Sequence, residues 1–302
     1  GFVDVPGHEK FIRNMLAGVT GIDFALMVIA ADDGPMPQTK EHLAILNLLG
    51  VENGAIALTK MDRIDHERRA EVQKEIANLV ADTVMENKPI FPCSGQTGEG
   101  IFALGEHLKK KALENASRAK TGKFRMAIDR VFTLPGAGLI VTGTVFSGKT
   151  ALGDRLVVSP QGLNVRIRSI HAQNSESEIG YAGQRCALNV TGSGIDRATV
   201  SRGDWVLESG LHQPTACIDV AITVLKSERR PLMHWTPVHI HIGAKDITGR
   251  VAVLEHQKIV PGEQGLVQLV LDEELGCLHG DRLVLRDQSA RRTIAGGMVL
   301  DP

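Results

Sequence analysis

The sequence has 302 residues, of which 43% are hydrophobic and 23% charged, so it is long enough for two or three domains and too apolar for a disordered chain. Its 34 Lys and Arg residues against 35 Asp and Glu residues give a formal charge of −1, which excludes a uniformly basic nucleic-acid-binding protein but not a local basic face. The longest apolar run, residues 24–31, is far shorter than the roughly 20 residues of a membrane helix.

The cysteine pattern and the first residues of the sequence indicate the cellular compartment of the protein. The 4 cysteines form no C-x-x-C pair, so the pattern indicates neither a disulfide framework nor a zinc site and is typical of a reducing compartment. The first residues show no basic-then-apolar leader of a secreted protein. We therefore expect a cytoplasmic protein with no membrane partner.

The first part of the chain, residues 1–120, alternates short apolar runs with helical patterns. Three strands are predicted at residues 24–31, 55–59 and 89–93. Helices are predicted at residues 9–17, 37–49, 65–85 and from 101 to about 113. Strands that alternate with helices predict a mostly parallel sheet covered on both faces, and therefore an α/β unit.

The rest of the chain shows almost no helical periodicity. Short strands separated by glycine-rich turns follow one another, and a weaker break falls near residues 209–214. This pattern predicts antiparallel barrels or sandwiches. We therefore expect an α/β unit over residues 1–120, followed by two all-β barrel domains over residues 121–211 and 212–302.

A first chemical motif, Asp4-Val5-Pro6-Gly7-His8, follows two apolar residues at the predicted end of a strand. An Asp at a strand end can hold Mg²⁺ through water, and the Gly7 N–H can approach a terminal phosphate because no side chain intervenes. On its own, D-x-x-G also fits an ordinary strand-to-turn connection.

Two further motifs follow the next strands. In Thr59-Lys60-Met61-Asp62, the Asp62 carboxylate can accept both edge N–H groups of guanine, and the Lys60 stem can lie along the base. In Ser94-Gly95-Gln96, backbone N–H groups can point at the guanine carbonyl oxygen. Taken alone, the first of these also fits a solvated charge pair that opens the next helix, and the second carries almost no signal.

The order of the three motifs is more specific than any one of them. All lie at the carboxyl ends of predicted parallel strands, where open α/β sheets bind ligands. Their order and spacing resemble the last three motifs of the P-loop GTPases, while a G-x-x-x-x-G-K-[ST] phosphate loop is expected upstream of Gly1. His8 in D-x-P-G-H resembles the translation GTPases, which implies that it orients the attacking water toward the γ-phosphate.

Within that class, the sequence resembles the bacterial selenocysteine-specific elongation factors of the elongation factor Tu group. The resemblance is carried by long segments, including GFVDVPGHEKFIRNMLAGVTGID, LTKMD, FRMAIDRVFTLPGAGLIVTGT, HIHIGAKDITGRV and DRLVLRDQSARRTIAGG. It implies GTP hydrolysis with Mg²⁺, and delivery of selenocysteinyl-tRNA to a ribosome at a recoded UGA codon. It also implies winged-helix modules beyond Pro302 that read the messenger hairpin. Because half of the phosphate site is expected upstream of Gly1, we expect this fragment alone to be inactive.

The resemblance extends to an aminoacyl pocket between the GTPase unit and the first barrel. The matching positions are Arg130 in AIDRVF and Arg185 in AGQRCALN, whose guanidiniums would favour an ionised selenol over a serine hydroxyl. Thr59 replaces the Asn that is common in the wider group, and Gly95 replaces Ala. The loss of an Asn bond would affect the phosphate loop, whereas Asp62 keeps the guanine specificity.

Other interpretations remain open at this point. The sequence could belong to another elongation factor Tu-like GTPase, such as a sulfate-activation subunit or an initiation factor, or to a tRNA-binding module without turnover. His239 and His241 share a strand face with His234 nearby, which suggests a metal, but packed strand histidines explain the spacing better.

Overall fold

A computed structural model describes residues 2–5, 15–16, 21–114 and 121–302. The chain divides into two compact units, one containing residues 22–114 and the other containing both barrels. Within the described ranges, no helix is long and apolar enough to span a bilayer.

The α/β unit is a three-stranded parallel sheet with three long helices, as the alternating pattern predicts. Its strands lie in the order β1–β2–β3, and Ile56 of the central strand pairs with Met27 on one side and Ile90 on the other. The elements are β1 (Ala25–Ala30), α1 (Pro37–Leu48), β2 (Gly54–Thr59), α2 (His66–Val80), β3 (Ile90–Pro92) and α3 (Ile101–Glu114). The strand β2 is almost wholly buried, as expected of a central parallel strand.

Helix α2 begins as predicted and ends earlier than predicted. Asp65 caps its first turn by accepting a hydrogen bond from the Arg68 N–H at 2.8 Å. The helix ends at Val80 rather than at residue 85, because the chain turns at once and Asp82 adopts a left-handed φ of 59°. Met85 is nevertheless buried, so its apolar spacing reflects packing of the turn rather than a continuing helix.

The segment before the first motif differs from the prediction. Residues 2–5 belong to no strand, and Phe2 and Val3 are 86% and 54% exposed. Side chains that exposed do not pack into a sheet covered on both faces, so the predicted strand end at Asp4 is wrong for these residues. The predicted helix at 9–17 lies mostly outside the described residues, although Met15 and Leu16 are helical and buried.

The first barrel is closed by six strands in the order β11–β5–β4–β12–β7–β8, with β8 pairing back to β11. The strands of this part of the chain are β4 (Arg125–Leu134), β5 (Gly138–Ser147), β6 (Lys149–Ala151), β7 (Arg155–Ser159), β8 (Leu163–Ala172), β9 (Ser175–Ser177), β10 (Ile179–Tyr181), β11 (Arg185–Thr191) and β12 (Trp205–Leu207). Alternate side chains such as Met126, Val141 and Leu188 fill the interior with no exposure. The short strands β6, β9, β10 and β12 are not among the predicted elements.

The β4–β5 pair contains an irregularity that shapes the outer surface of the barrel. The register shifts between Ile128 and Arg130, so β4 carries one extra residue, Asp129, against β5. Nearby, a Cβ on Gly143 would lie 1.8 Å from the carbonyl oxygen of Ala127. Glycine is therefore required at position 143 for the two backbones to approach this closely.

The second barrel is also closed by six strands, in the order β13–β18–β16–β15–β19–β20. Its strands, with two short ones, are β13 (Pro214–Val224), β14 (Leu232–Met233), β15 (Thr236–Ile242), β16 (Lys245–Val253), β17 (Lys258–Ile259), β18 (Gln264–Gly276), β19 (Arg282–Asp287) and β20 (Thr293–Asp301). Val220, Ile240 and Leu269 are fully buried in its core. Two all-β barrels after an α/β unit are the fold class that the sequence predicts.

The two barrels meet through a buried ion pair. The Arg125 guanidinium donates to both carboxylate oxygens of Asp281 at 2.7 and 2.6 Å, and it lies 3.5 Å from the centroid of the Trp205 ring. Arg125 and Trp205 are 4% and 2% exposed, so this contact is shielded from water. A bidentate pair stacked on an aromatic face is a geometry that Lys cannot reproduce.

Candidate functional site

The carboxyl ends of β2 and β3 form a cavity of about 380 Å³ in the α/β unit, which is within the usual size of small-ligand sites. The residues lining it come from the segments that follow the two strands and from the start of α3. They are Thr59, Lys60, Asp62, Arg63, Cys93, Gly95, Gln96 and Ile101. The structure thus brings together the second and third sequence motifs, as their positions at strand ends predict.

Lys60 is held by two carboxylates that follow β1. Its backbone is left-handed, with φ 59°, and its ammonium lies 2.9 Å from both oxygens of Asp32 and 3.3 Å from Oδ2 of Asp33. The hydrogen bond from Lys60 lowers the pKa of Asp32, and the same bond raises the pKa of Lys60. Both groups therefore stay charged near neutral pH, and the lysine stem is fixed beside the cavity.

Asp62 is oriented by Ser94. The Ser94 hydroxyl donates to Oδ1 of Asp62 at 2.5 Å and accepts hydrogen bonds from the N–H groups of Gln96 and Thr97 at 3.2 and 3.1 Å. Ser94 is fully buried. Within the described residues Oδ2 of Asp62 has no hydrogen-bond partner, so the carboxylate keeps acceptor capacity toward a ligand in the cavity.

Gly95 and Thr59 are the two departures from the family pattern, and the structure shows the local contacts of each. A Cβ at Gly95 would meet no atom within 4 Å, so the loop does not need glycine there. The Gly95 N–H has no partner in the part of the chain that is described, which leaves it available to a base oxygen. The Thr59 hydroxyl donates to the Ile29 carbonyl at 3.3 Å, which joins the ends of β2 and β1.

The first motif is described only in part. Asp4 is exposed and Val5 is half-buried, whereas Pro6, Gly7 and His8 lie outside the described residues. Asp4 makes no hydrogen bond or ion pair with any described residue, so its carboxylate is open to a hydrated Mg²⁺. The described residues contain no group of three His, Cys, Asp or Glu side chains that could hold a metal.

The two predicted pocket arginines lie on one outer face of the first barrel. Arg130 pairs across the strands with Thr142, and Arg185 donates to Oδ2 of Asp129, to Oδ1 of Asp129 at 2.8 Å and to the Thr142 hydroxyl at 3.5 Å. Thr142 in turn donates to Asp129 at 2.8 Å. Arg130 is exposed and has no acidic partner among the described residues. The cluster of two arginines and one aspartate therefore has an excess of one positive charge.

The sequence analysis did not identify the carboxylates that bind Lys60 and Arg185. Asp32 and Asp33 directly follow β1, so the strand-end rule that identified Asp62 and Ser94 would also have identified them. Asp129 immediately precedes Arg130, but nothing in the sequence shows that the strand bulges there and turns this carboxylate toward Arg185.

The predicted metal alternative concerns His239 and His241 on β15. Ile240 and Ile242 face the barrel core, which places both histidines on the outer face. The Nδ1 of His239 lies 3.0 Å from Oδ1 of Asp246, and Nε2 of His241 lies 3.8 Å from the same oxygen. The arrangement is that of two strand histidines packed around one carboxylate.

Three protein families match successive parts of the chain. Residues 1–114 match the elongation factor Tu GTP binding domain, and residues 138–207 match elongation factor Tu domain 2. Residues 219–302 match the beta-barrel domain of the selenocysteine-specific elongation factor. The matches follow the order of the α/β unit and the two barrels.

Curated relatives match the chain from end to end. It is 44% identical over 300 residues to the selenocysteine-specific elongation factor of Escherichia coli (strain K12), which covers 99% of this chain and 46% of that protein. It is 42% identical over 302 residues to the factor of Haemophilus influenzae, covering 100% of this chain and 47% of that protein. The factor of Desulfomicrobium baculatum is 38% identical, with the same coverage. The chain spans about half the length of the curated relatives it matches.

Solved structures share the fold. The apo form of translation elongation factor SelB from Methanococcus maripaludis superposes with a TM-score of 0.84 at 25% identity, covering 99% of this chain and 69% of that one. A bacterial selenocysteine-specific elongation factor, EF-Sec, gives a TM-score of 0.83 at 28% identity and covers 98% of this chain and 48% of that one.

Proposed function

The chain is homologous over its whole length to the selenocysteine-specific elongation factors, and from this premise we propose that it is the GTP-binding and aminoacyl-tRNA-binding part of such a factor. In this proposal, the protein that contains it binds GTP, carries selenocysteinyl-tRNA to the ribosome at a recoded UGA codon and hydrolyses the GTP there. The observation that carries the proposal is that Lys60 and Asp62 line one cavity of the α/β unit, with the Asp62 carboxylate held by Ser94.

The cavity suits guanine through the residues that line it. Asp62 accepts the two edge N–H groups that guanine offers together and adenine does not. Ser94 holds that carboxylate in place, and the Gly95 N–H, which has no partner among the described residues, is available to the base carbonyl. Lys60, fixed by Asp32, supplies the stem that lies along the base. The specificity therefore comes from one braced carboxylate and one open N–H group.

In this proposal, the residues of the first motif, Asp4 to His8, bind the phosphates and the attacking water. Asp4 would hold Mg²⁺ through water, Gly7 would approach the γ-phosphate with its N–H, and His8 would orient the attacking water. When bound, Mg²⁺ neutralises charge on the phosphate oxygens during transfer. Positioning and electrostatics are the main demands of phosphoryl transfer, so a neutral His8 is sufficient for this role.

Arg130 and Arg185 would select the amino acid. A selenol is more acidic than a thiol and is ionised at neutral pH, so the positive excess of the Arg130–Arg185–Asp129 cluster favours a selenolate over a neutral serine hydroxyl. The match of residues 219–302 to the selenocysteine-specific barrel favours this function over a sulfate-activation subunit or an initiation factor. The ribosome is the expected partner, and the messenger hairpin would be read by further domains.

The test is protection of the aminoacyl ester. The natural full-length protein that contains this chain is mixed with selenocysteinyl-tRNA or seryl-tRNA, with GTP or GDP, and the rate of ester hydrolysis is followed. We expect protection of selenocysteinyl-tRNA with GTP and much weaker protection of seryl-tRNA. Equal protection of both tRNAs would refute the selenocysteine assignment, and absence of GTP binding would refute the GTPase assignment.

A further inference from the structure

Arg63 lines the cavity of the α/β unit, although it belongs to none of the three sequence motifs. It ends the short 3-10 helix Met61–Arg63, which follows β2, and its backbone N–H donates to the Lys60 carbonyl at 3.0 Å. This turn brings a second cationic side chain, besides that of Lys60, to the cavity. The proposed function gives this guanidinium no role.

Asp32 holds Arg63 beside Lys60. Nη1 of Arg63 lies 3.7 Å from Oδ2 of Asp32, an oxygen that also accepts a hydrogen bond from the Lys60 ammonium at 2.9 Å. Two cations that contact the same carboxylate oxygen lie next to each other. Lys60 and Arg63 therefore form one continuous part of the cavity lining, which is called the cationic wall below.

The contact with Asp32 leaves most of the Arg63 guanidinium available to a ligand. The Arg63 side chain is 61% exposed, and the ion pair at 3.7 Å is its one printed-length contact with a carboxylate among the described residues. An exposed ion pair of this kind contributes little to stability. The flat faces of the guanidinium and most of its five N–H groups remain free for binding.

The charges around Arg63 favour an uncharged ligand group over a phosphate. Asp32 and Asp33 carry two negative charges. Lys60 and Arg63 carry two positive ones, so the cationic wall and its carboxylates are neutral as a whole. A phosphate would have to compete with both carboxylates for these cations. A neutral purine base has no such competition, because a guanidinium stacks on an aromatic ring through its flat face.

We propose that Arg63 is a base-binding residue whose guanidinium lies flat on guanine, next to the Lys60 stem. This inference rests on the proposed function, in which the cavity holds guanine with its edge at Asp62. The face of an aromatic ring attracts a planar cation, so the stacking adds affinity for the ring, whereas Asp62 recognises the edge. Asp32 is then a positioning residue, because it holds both side chains of the cationic wall.

The experiment uses the natural full-length protein that contains this chain and measures its affinity for GDP and IDP by titration calorimetry. IDP lacks the 2-amino group of guanine, so the difference between the two affinities reports edge recognition by Asp62. We expect R63M to weaken binding of both nucleotides by the same factor, about five- to tenfold, because the ring face is common to both. The control K74M removes one positive charge from an exposed position of α2 and should stay within about twofold of the parent.

Two further variants separate the flat face of Arg63 from its charge. R63K keeps the charge without the planar group and should regain no more than about twofold over R63M. R63W keeps a planar face without the charge and should regain most of the affinity. Its fluorescence should also be quenched by GDP and by IDP more than that of the parent, whose 2 tryptophans are Trp205 and Trp235. A residue that only supports the turn would give neither the recovery nor the quenching.

The outcomes separate this inference from the proposed function. Affinities of R63M within about twofold of the parent would overturn the role of Arg63, and so would a loss confined to GDP or full recovery in R63K. Because position 63 is exposed, all variants should fold, and equal thermal midpoints without nucleotide verify this. A parent that distinguishes GDP from IDP while R63M is unaffected refutes only the role of Arg63. A parent that binds neither nucleotide refutes the GTPase assignment itself.

Discussion

The ammonium of Lys60 lies 2.9 Å from each carboxylate oxygen of Asp32. The two residues come from the ends of adjacent parallel strands, β2 and β1, and the pair fixes the long side chain of a lysine whose backbone is left-handed. A carboxylate outside the recognised motifs thus sets the position of a residue inside one of them.

Replacing Asp32 with Asn tests the ion pair between Asp32 and Lys60 through the pH dependence of the thermal midpoint. The bond from Lys60 lowers the pKa of Asp32, so the stabilisation is present above the pKa of the unfolded chain and is lost as pH falls through the lower folded-state pKa. In D32N, the thermal midpoint should therefore fall less steeply on acidification than in the parent. D33N is the control, because Asp33 makes one contact at 3.3 Å and should change the profile less. Identical profiles for D32N and the parent would contradict the coupling.

Replacing Asp62 with Asn should change the preferred base. The amide cannot accept from both edge N–H groups of guanine but can donate to the additional carbonyl of xanthine. We expect the full-length protein to lose about 100-fold or more in affinity for GDP, as two bonds to a charged group are lost, and to prefer XDP in competition titrations. S94A removes the 2.5 Å bond but keeps the carboxylate, so it should weaken GDP binding without the xanthine preference. Retained preference for GDP in D62N would refute guanine recognition by Asp62.

The charge of the aminoacyl cluster can be adjusted in both directions. Removing the partner of Arg185 with D129N should strengthen protection of selenocysteinyl-tRNA, whereas R185M should weaken it by roughly tenfold, the effect of one charge-assisted hydrogen bond. R185K keeps the charge but not the two-bond contact with Asp129, so it separates the effect of the charge from that of the guanidinium geometry. The ester-hydrolysis assay measures all three variants at neutral pH. If R185M and the parent distinguish selenocysteinyl-tRNA from seryl-tRNA equally well, Arg185 does not select the amino acid.

Breaking the ion pair between the barrels should be costly. R125M leaves the Asp281 carboxylate, only 13% exposed, without its partner, and we expect a loss of about 3–5 kcal/mol in the free energy of unfolding. R292Q, which disrupts a pair whose arginine is 59% exposed, should cost no more than about 1 kcal/mol. Trp205 is 2% exposed and reports on the joint by fluorescence during denaturation. Equal stabilities for R125M and R292Q would show that the buried pair does not hold the barrels together.

Two glycine-to-alanine changes test close packing against open space. In G143A the new Cβ would lie 1.8 Å from the Ala127 carbonyl, so β4 and β5 must move apart, and we expect a loss of about 2–3 kcal/mol or more. In G95A the Cβ meets nothing within 4 Å, and stability should change by less than about 0.5 kcal/mol. Thermal unfolding of both variants under one set of conditions decides the comparison. A destabilised G95A with an unchanged G143A would contradict the packing described for the two positions.

Local patterns were sufficient for most of the fold. Closely spaced strand-like segments between glycine-rich turns identified the long barrel strands, and apolar runs between helical patterns identified β1, β2 and β3, because both signals are local in the sequence. Short strands such as β9 and β12 were not predicted, since three residues are too few for a period to be recognised.

The contacts that could not be predicted from the sequence join residues that are far apart along the chain or depend on strand register. Arg125 and Asp281 are 156 positions apart, and no local pattern connects them. The bulge at Asp129 arises from the register of β4 against β5, so the partner of Arg185 became visible only in the structure. Asp62 and Ser94 were predicted to meet because each follows a strand of the same parallel sheet, a rule that needs topology alone.

Closure of both barrels has a consequence for self-association. Each of the twelve strands that close them has a neighbour on both sides, so the backbone N–H and C=O groups of these strands present no free edge to another molecule. An unpaired edge is the template on which proteins add foreign strands and begin to aggregate. When β8 separates from β11, or β13 from β20, such an edge is created, and these two seams are where misassembly of the β unit would start.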